Sequence, residues 1–336
     1  MISNVKGLPT AFVATYGTRK PVIALLAEYD ALEGLGHACG HHLIAGMSTL
    51  AAIGIAKVLD PDEGTIALIG CPAEETIGAK ALLVKKGIFR DIDVAMMIHP
   101  SDKTEVIKLS LSLERFSVVF KGLTSHASAT PWKGKNTLSA MISLFQGIDA
   151  NRITLQEGVK INGVIKKGGV AANIIPDISE AEFFVRAKDI KSHKIAVKRF
   201  YHIVQGSALA LGVSYMIKRI GNIYYPLKPN ITLAHHFESQ LNRLHINIDN
   251  FFTDRELGSS DIGNVSQVVP VIHPTLAITK SSCPAHSRAF KLQADKPKAY
   301  KVMKSGAILL ALTAHGLYKD KVLLSNIKKE HYIKYS

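Results

Sequence analysis

The chain has 336 residues, 47% hydrophobic and 20% charged, the balance of a soluble globular protein long enough for one large domain or two ordinary ones. Its net charge of +14 is carried by scattered lysines and arginines, in no run beyond pairs such as Lys85-Lys86 and Lys166-Lys167. With no nucleic-acid motif beside it, that charge is expected to be a solvated surface, with no nucleic-acid partner.

In chain order, the segments 21–26 (PVIALL), 65–69 (TIALI) and 94–98 (VAMMI) are short, nearly all-apolar runs. Such runs suit strands of a mostly parallel sheet, buried on both faces. Between the first two, 43–59 is long and apolar enough for a helix, which Pro61 and Gly64 then end. Its apolar part, 43–56, is shorter than the roughly 20 residues of a membrane span, so no membrane partner is expected. No charged head followed by an apolar run opens the chain, and Cys39, Cys71 and Cys283 are too few for a disulfide framework. A cytoplasmic location is the expectation.

The middle has a different rhythm. A strand at 114–121, a helix at 136–151, strands at 159–165 and 179–186, a helix at 192–211 and a strand at 213–220 make the order βαββαβ. That is the ferredoxin-like two-layer sandwich. It is inserted, because α/β material resumes with a strand at 270–278 and a helix at 304–317. The expected domains are 1–110, 111–222 and 223–336, the first and last forming one α/β body. From Lys319 the tail is polar and basic, a surface helix or frayed end.

The chemistry sits just beyond each early strand. The first runs into Glu28, Tyr29 and Asp30, the second into Cys71, Pro72, Ala73, Glu74 and Glu75, the third into His99 and Pro100. In open α/β sheets, sites form beyond the carboxyl ends of the strands. GHACGHH at 36–42 adds three imidazoles and a thiol, half of a metal site by local ligand count. The remaining ligands must come from afar, with Glu75, His99 and His286 as candidates. Imidazole, carboxylate and thiolate together suit zinc, manganese or cobalt better than calcium or magnesium. Ligands in this number imply two divalent ions per chain, about 3.5–4 Å apart. One of the adjacent carboxylates Glu74 and Glu75 can bind metal while the other acts as base. Cys39 as a nucleophile beside a histidine is the competing reading; it leaves the paired glutamates without a task.

The segments AEYDALEGLGHACGHH, CPAEE, MMIHP, GSSDIGNVSQVVPVIHP and AHSRAF, in order from about residue 8 to 313, resemble the aminoacylase–carnosinase–carboxypeptidase G metallopeptidases of peptidase family M20. Within it they are most similar to the auxin-conjugate hydrolases, aminobenzoyl-glutamate hydrolase and the HmrA-type amidohydrolases. The resemblance implies a mostly parallel-sheet metallopeptidase domain with the inserted sandwich as lid and dimerisation domain, hence a homodimer or higher homo-oligomer. It makes Cys39, His41, Glu75, His99 and His286 the ligands, Glu74 the general base, and Asp30 a carboxylate that orients the site. It puts His126 of SHASATP on the scissile carbonyl, often from the neighbouring subunit, Asn173 in the substrate pocket, and Asp261 of GSSD on a turn lining that pocket. The activity implied is hydrolysis of a dipeptide or N-acyl amino acid.

There are departures. Relatives carry further residues, including helices, before the point matching Leu8, and the loop after Glu75 is shorter than usual. His42 stands where relatives have Asp or Asn. The first of these departures motivates a second reading, a truncated, inactive relative that acts as a dimerising or binding protein.

Overall fold

The computed structural model describes residues 2–5, 7–254, 257–279 and 282–333, so the last three residues of the basic tail lie outside it. Two compact units emerge, one of Met1–Ser110 with Leu227–Ser336, the other of Leu111–Pro226.

In the first unit, β1 (Ile2–Val5) pairs antiparallel with β2 (Leu8–Gly17), and β2 in turn pairs antiparallel with β4 (Thr65–Cys71). β3 (Val22–Glu28) lies parallel to β4 and to β5 (Val94–Met96), and β13 (Val271–Ile272) closes the far edge parallel to β5. The order is β1-β2-β4-β3-β5-β13. The apolar runs are strands because both faces are covered. Ile23 and Leu25 enter one buried cluster, while Ala24 and Leu26 enter the other.

One cover is α1 (His41–Val58), which packs on β3 and against α8 (Pro297–Lys319), the latter started by a proline at its first position. By length and composition α1 could cross a membrane. Here Leu43, Ile44, Met47, Ala51 and Ile55 are buried in the fold. Buried residues of α2 (Ala79–Lys85) and α6 (Ile262–Val265) join the cluster of Ala24 and Leu26, and those of α5 (Ile231–Arg243), α7 (Arg288–Ala294) and α9 (Lys321–Ile333) join that of Ile23 and Leu25.

The predicted strand at 270–278 is two. Beyond β13 the chain passes His273-Pro274 and continues as β14 (Thr275–Ala277) in a second sheet. Pro274 has no N–H to continue a ladder, and its carbonyl instead accepts from His99 N at 2.9 Å. That second sheet has the order β12 (Asn250–Thr253), β7 (Glu105–Lys108), β14, β6 (His99–Ser101). His99 therefore opens a strand where the sequence suggested the end of one.

The second unit runs β8 (Ser112–Lys121), α3 (Thr137–Asn151), β9 (Lys160–Lys167), β10 (Ile178–Ala187), α4 (Ile190–Leu211), β11 (Ser214–Tyr224). Its antiparallel sheet has the order β11-β8-β10-β9, the ferredoxin-like arrangement read from the sequence. Asn136 and Asp189 cap the two helices by accepting from Ser139 N at 3.1 Å and Ser192 N at 2.8 Å. Phe116, Phe183 and Phe200 fill the layer between sheet and helices.

Candidate metal centre and active site

Three stretches of the first unit meet at the carboxyl ends of β3 and β4. Glu28 ends β3, and Asp30 stands in the loop that leads to α1. Cys39 and His41 flank Gly40, the residue before α1, at φ 78°. A Cβ on Gly40 would lie 2.6 Å from Pro100 Cγ, so space and backbone both demand glycine there. Glu74 and Glu75 stand in the loop after β4, where Ala73 takes a left-handed φ of 55°. His286 reaches the same place from far along the chain, with φ 62° and its N–H donated to the Ala38 carbonyl at 2.9 Å.

These residues form three interlocking groups: Cys39 with His41 and His99; Cys39 with Glu75 and His286; His41 with Glu74 and Glu75. Within each group the ligand atoms lie within 4.8 Å of one another. Cys39 Sγ is 3.5 Å from His99 Nε2, and His286 Nε2 is 3.0 Å from Glu75 Oε1. His99 Nδ1 donates to the Pro100 carbonyl at 2.7 Å, which leaves Nε2 as its ligand atom. Asp30 spans two donors, taking His41 Nδ1 at 3.0 Å with one oxygen and Glu75 N at 3.0 Å with the other. His41 thereby presents Nε2 to the site, 3.3 Å from Glu28 Oε2 and 3.9 Å from Glu75 Oε1.

The donor set fits divalent ions. Cys39, His41 and Glu75 each belong to two groups, so the cluster offers more than one position rather than a single knuckle. Glu75 Oε1 is buried with ring nitrogens of His286 at 3.0 Å and His41 at 3.9 Å as neighbours, so the acceptor oxygen sits among candidate ligands. Burial, with Glu28 and Asp261 nearby, pushes Glu74 well above the ordinary carboxylate range. Burial and the adjacent carboxylate of Glu75 likewise push the Cys39 thiol up. Against its burial, Glu28 and Asp30 hold His41 protonated up to about 9. Burial, then His41, presses His99 down to about 4. Protons retained on Glu74, Cys39 and His41 mark an excess of negative charge that a divalent ion would balance.

The other candidates fall into place separately. His37 and His42 pack against each other as tilted rings 4.7 Å apart, outside the donor groups, with His42 Nε2 3.3 Å from the Ala294 carbonyl. Cys71 and Cys283 are buried small apolar side chains. Asp261, expected on a pocket-lining turn, is fully buried with both carboxylate oxygens engaged by Lys80, so it has no surface to offer a substrate. In the second unit His126 and Asn173 come together on exposed loops, where Ala127 N donates to the Asn173 carbonyl at 2.9 Å. His126 Nδ1 accepts from Ser128 N at 3.3 Å and Ala129 N at 3.2 Å, so Nε2 carries the outward N–H. Sequence reasoning gave no role to Glu28, Lys80 or His273. His273 packs edge-on to His99 at 5.7 Å, and burial, then His99, presses it down to about 3. The sequence signals were a carboxylate ending an apolar strand and a lysine inside an apolar helix start.

An imidazole, thiol and carboxylate cluster of this kind at the carboxyl ends of two central strands is a donor set for divalent ions, the class of centre metal-dependent hydrolases use. Residues 112–209 match the peptidase dimerisation domain of the M20 peptidases. The chain is 34% identical to the Xaa-Arg dipeptidase of Mus musculus, covering 96% of this chain and 78% of that protein. It is 32% identical to a p-aminobenzoyl-glutamate hydrolase polypeptide of Escherichia coli, over 61% of this chain and 47% of that one. Among solved structures, a dinuclear metal-binding M20 peptidase from Bacillus subtilis superposes with a TM-score of 0.69 at 19% identity, covering 95% of this chain and 88% of that chain. The chain belongs to the M20 family of peptidases and is an enzyme of its amide-hydrolysing kind.

Proposed function

We infer that this chain cleaves the amide bond of a dipeptide or N-acyl amino acid, with Cys39, His41, Glu75, His99 and His286 holding two divalent ions and Glu74 as the base. The observation that carries this reading is the interlocking of the donor groups around Glu74 and Glu75, with Asp30 gripping both His41 and the Glu75 backbone. The second reading, an inactive binding protein, calls for a decayed ligand set, and no ligand is missing from the cluster.

Bound zinc or manganese, with cobalt as a substitute, would polarise the scissile carbonyl and lower the pKa of water at the site. Glu74 accepts the proton of the attacking water as its oxygen bonds to the carbonyl carbon. It then delivers that proton to the amide nitrogen as the C–N bond breaks, and the acid's remaining proton passes to the amine, leaving a carboxylate and an ammonium group. Asp30 keeps the His41 ring oriented and on the correct tautomer throughout. We assign His126, by its outward Nε2–H, to holding the scissile carbonyl oxygen, and Asn173 to the substrate pocket beside it. The dimerisation-domain match of 112–209 supports a homodimer, and the free cysteines support a cytoplasmic setting.

Similarity to an Xaa-Arg dipeptidase makes dipeptides with a C-terminal basic residue the first substrates to try. The test is release of free amino acid from a panel of such dipeptides, acidic and apolar dipeptides, and N-acyl amino acids, after reconstitution with zinc, manganese or cobalt. Turnover of at least one amide class, abolished by a chelator and restored by metal, is the expected result. No turnover of any member under all three metals would overturn the reading.

A further inference from the structure

Lys80 heads the fully buried side chains of the described residues, although it lies in no donor group of the metal centre. A buried ammonium is costly unless its charge is met by good geometry. Here Nζ contacts Glu28 Oε1 at 2.5 Å and also Asp261 Oδ1. The Lys80 backbone N–H donates to Asp261 Oδ2 at 2.8 Å, so side chain and main chain grip the same carboxylate. All three residues are buried, and Glu28 is 1% exposed. Against its burial, Lys80 holds Glu28 ionised down to about 2.

The position of this triad matters more than its charge. The loop between β4 and α2 carries Glu74 and Glu75, and it is closed on itself by Gly78 N donating to the Ala73 carbonyl at 3.0 Å. Its middle is tied by Asp30, through Glu75 N at 3.0 Å. Its far end meets Lys80, where α2 begins. The carboxylates at and just beyond the end of β3 therefore hold the loop at two points, Asp30 directly at its middle and Glu28 through Lys80 at the start of α2. Asp261, which leads into α6, locks the second joint from another part of the chain.

We propose that Lys80, clamped by Glu28 and Asp261, is a positioning residue that fixes the Glu74–Glu75 loop against Cys39 and His41. The proposal rests on the reading of Glu74 and Glu75 given above. A lysine that only neutralised buried acids would behave differently when removed. Loss of a positive charge beside a cation site makes the site more negative and tightens cation binding. Loss of a positioning contact displaces ligand and base, and weakens binding.

The two are told apart with full-length Lys80→Met, checked for wild-type circular dichroism, by cobalt titration and by steady-state kinetics. The expected results are cobalt affinity weaker by about ten- to a hundredfold, an altered cobalt–thiolate absorption spectrum, and kcat lower by about a hundredfold with KM nearly unchanged. Folded Lys80→Met with wild-type spectrum and kcat, and cobalt bound as tightly or more tightly, overturns the proposal. Should Lys80→Met not fold, Asp261→Asn keeps an oxygen for the Lys80 N–H while removing the charge. There, cobalt affinity and kcat are expected to fall together about tenfold, and unchanged values overturn the proposal equally. A wild-type protein that binds cobalt yet hydrolyses no amide would sink the assignment of Glu74 and leave the affinity comparison readable.

Discussion

Both units bury a histidine beside a carboxylate, and the two histidines are held in different ways. In the second unit His193 lies with Nδ1 2.8 Å from Ser112 Oγ and Nε2 3.4 Å from Glu114 Oε2. Ser112 in turn donates to the Ala187 carbonyl and accepts from the Ala187 N–H, and Glu114 takes Arg219 at 2.7 Å. Each polar side chain in that network has at least one partner within hydrogen-bond distance, and the network ends at a half-exposed arginine. In the first unit His41 meets Glu28, Asp30 and Glu75, with Cys39 and Glu74 close by. More acceptors converge there than the protons of one imidazole can serve. A Ser-His-Glu sequence of contacts is thus structural where it closes, and a centre is functional where it is left electrostatically open.

Paired substitutions sharpen this contrast. His41→Ala is expected to lose metal and reduce kcat/KM by more than about a thousandfold. His193→Ala is expected to lower unfolding stability by about 2–3 kcal/mol, by leaving a buried cavity and taking one partner each from Ser112 and Glu114. Its metal content and its turnover per folded molecule are expected to match wild type. Denaturant unfolding with metal analysis reads both; metal loss in His193→Ala, or its retention in His41→Ala, would break the comparison.

A smaller effect tests an ordinary closed contact. Asp93 accepts from Val22 N at 2.8 Å and from Lys328 Nζ at 2.6 Å, tying β3 to α9. Its carboxyl is held below the usual value of 3.8, against burial, chiefly by Lys328. A depressed folded pKa gives stability that is full above 3.8 and is lost as pH falls through the folded value. Asp93→Asn is expected to cost about 1 kcal/mol near neutrality, a difference that shrinks on acidification. A cost that stays constant or grows at low pH would contradict it.

Much of the frame was legible because burial writes itself into composition. Both faces of β3 and β4 are covered, so their sequences carry unbroken apolar runs, and the βαββαβ rhythm of the second unit survives in its alternation. β2 escaped notice because only Leu8 and Ala11 are buried among its ten residues. The segment 270–278 was one run to the eye but serves two sheets, since what separates them is the missing N–H of Pro274 rather than any change in hydrophobicity. At the metal centre the ligand types were visible, while their convergence was not: His286 arrives by a left-handed backbone turn that no pattern announces. Lys80 was hidden for the opposite reason. A charge in a helix start suggests solvent, and only the meeting of Glu28 and Asp261 makes its burial tolerable.

Whether Glu74 moves the proton while its neighbours hold the ions is read from Glu74→Gln. Elemental analysis and turnover on the best amide of the panel are measured side by side for variant and wild type. The prediction is about two ions per chain in both proteins, with kcat of the variant lower by about a thousandfold or more. A variant that keeps its ions and its turnover would contradict the account.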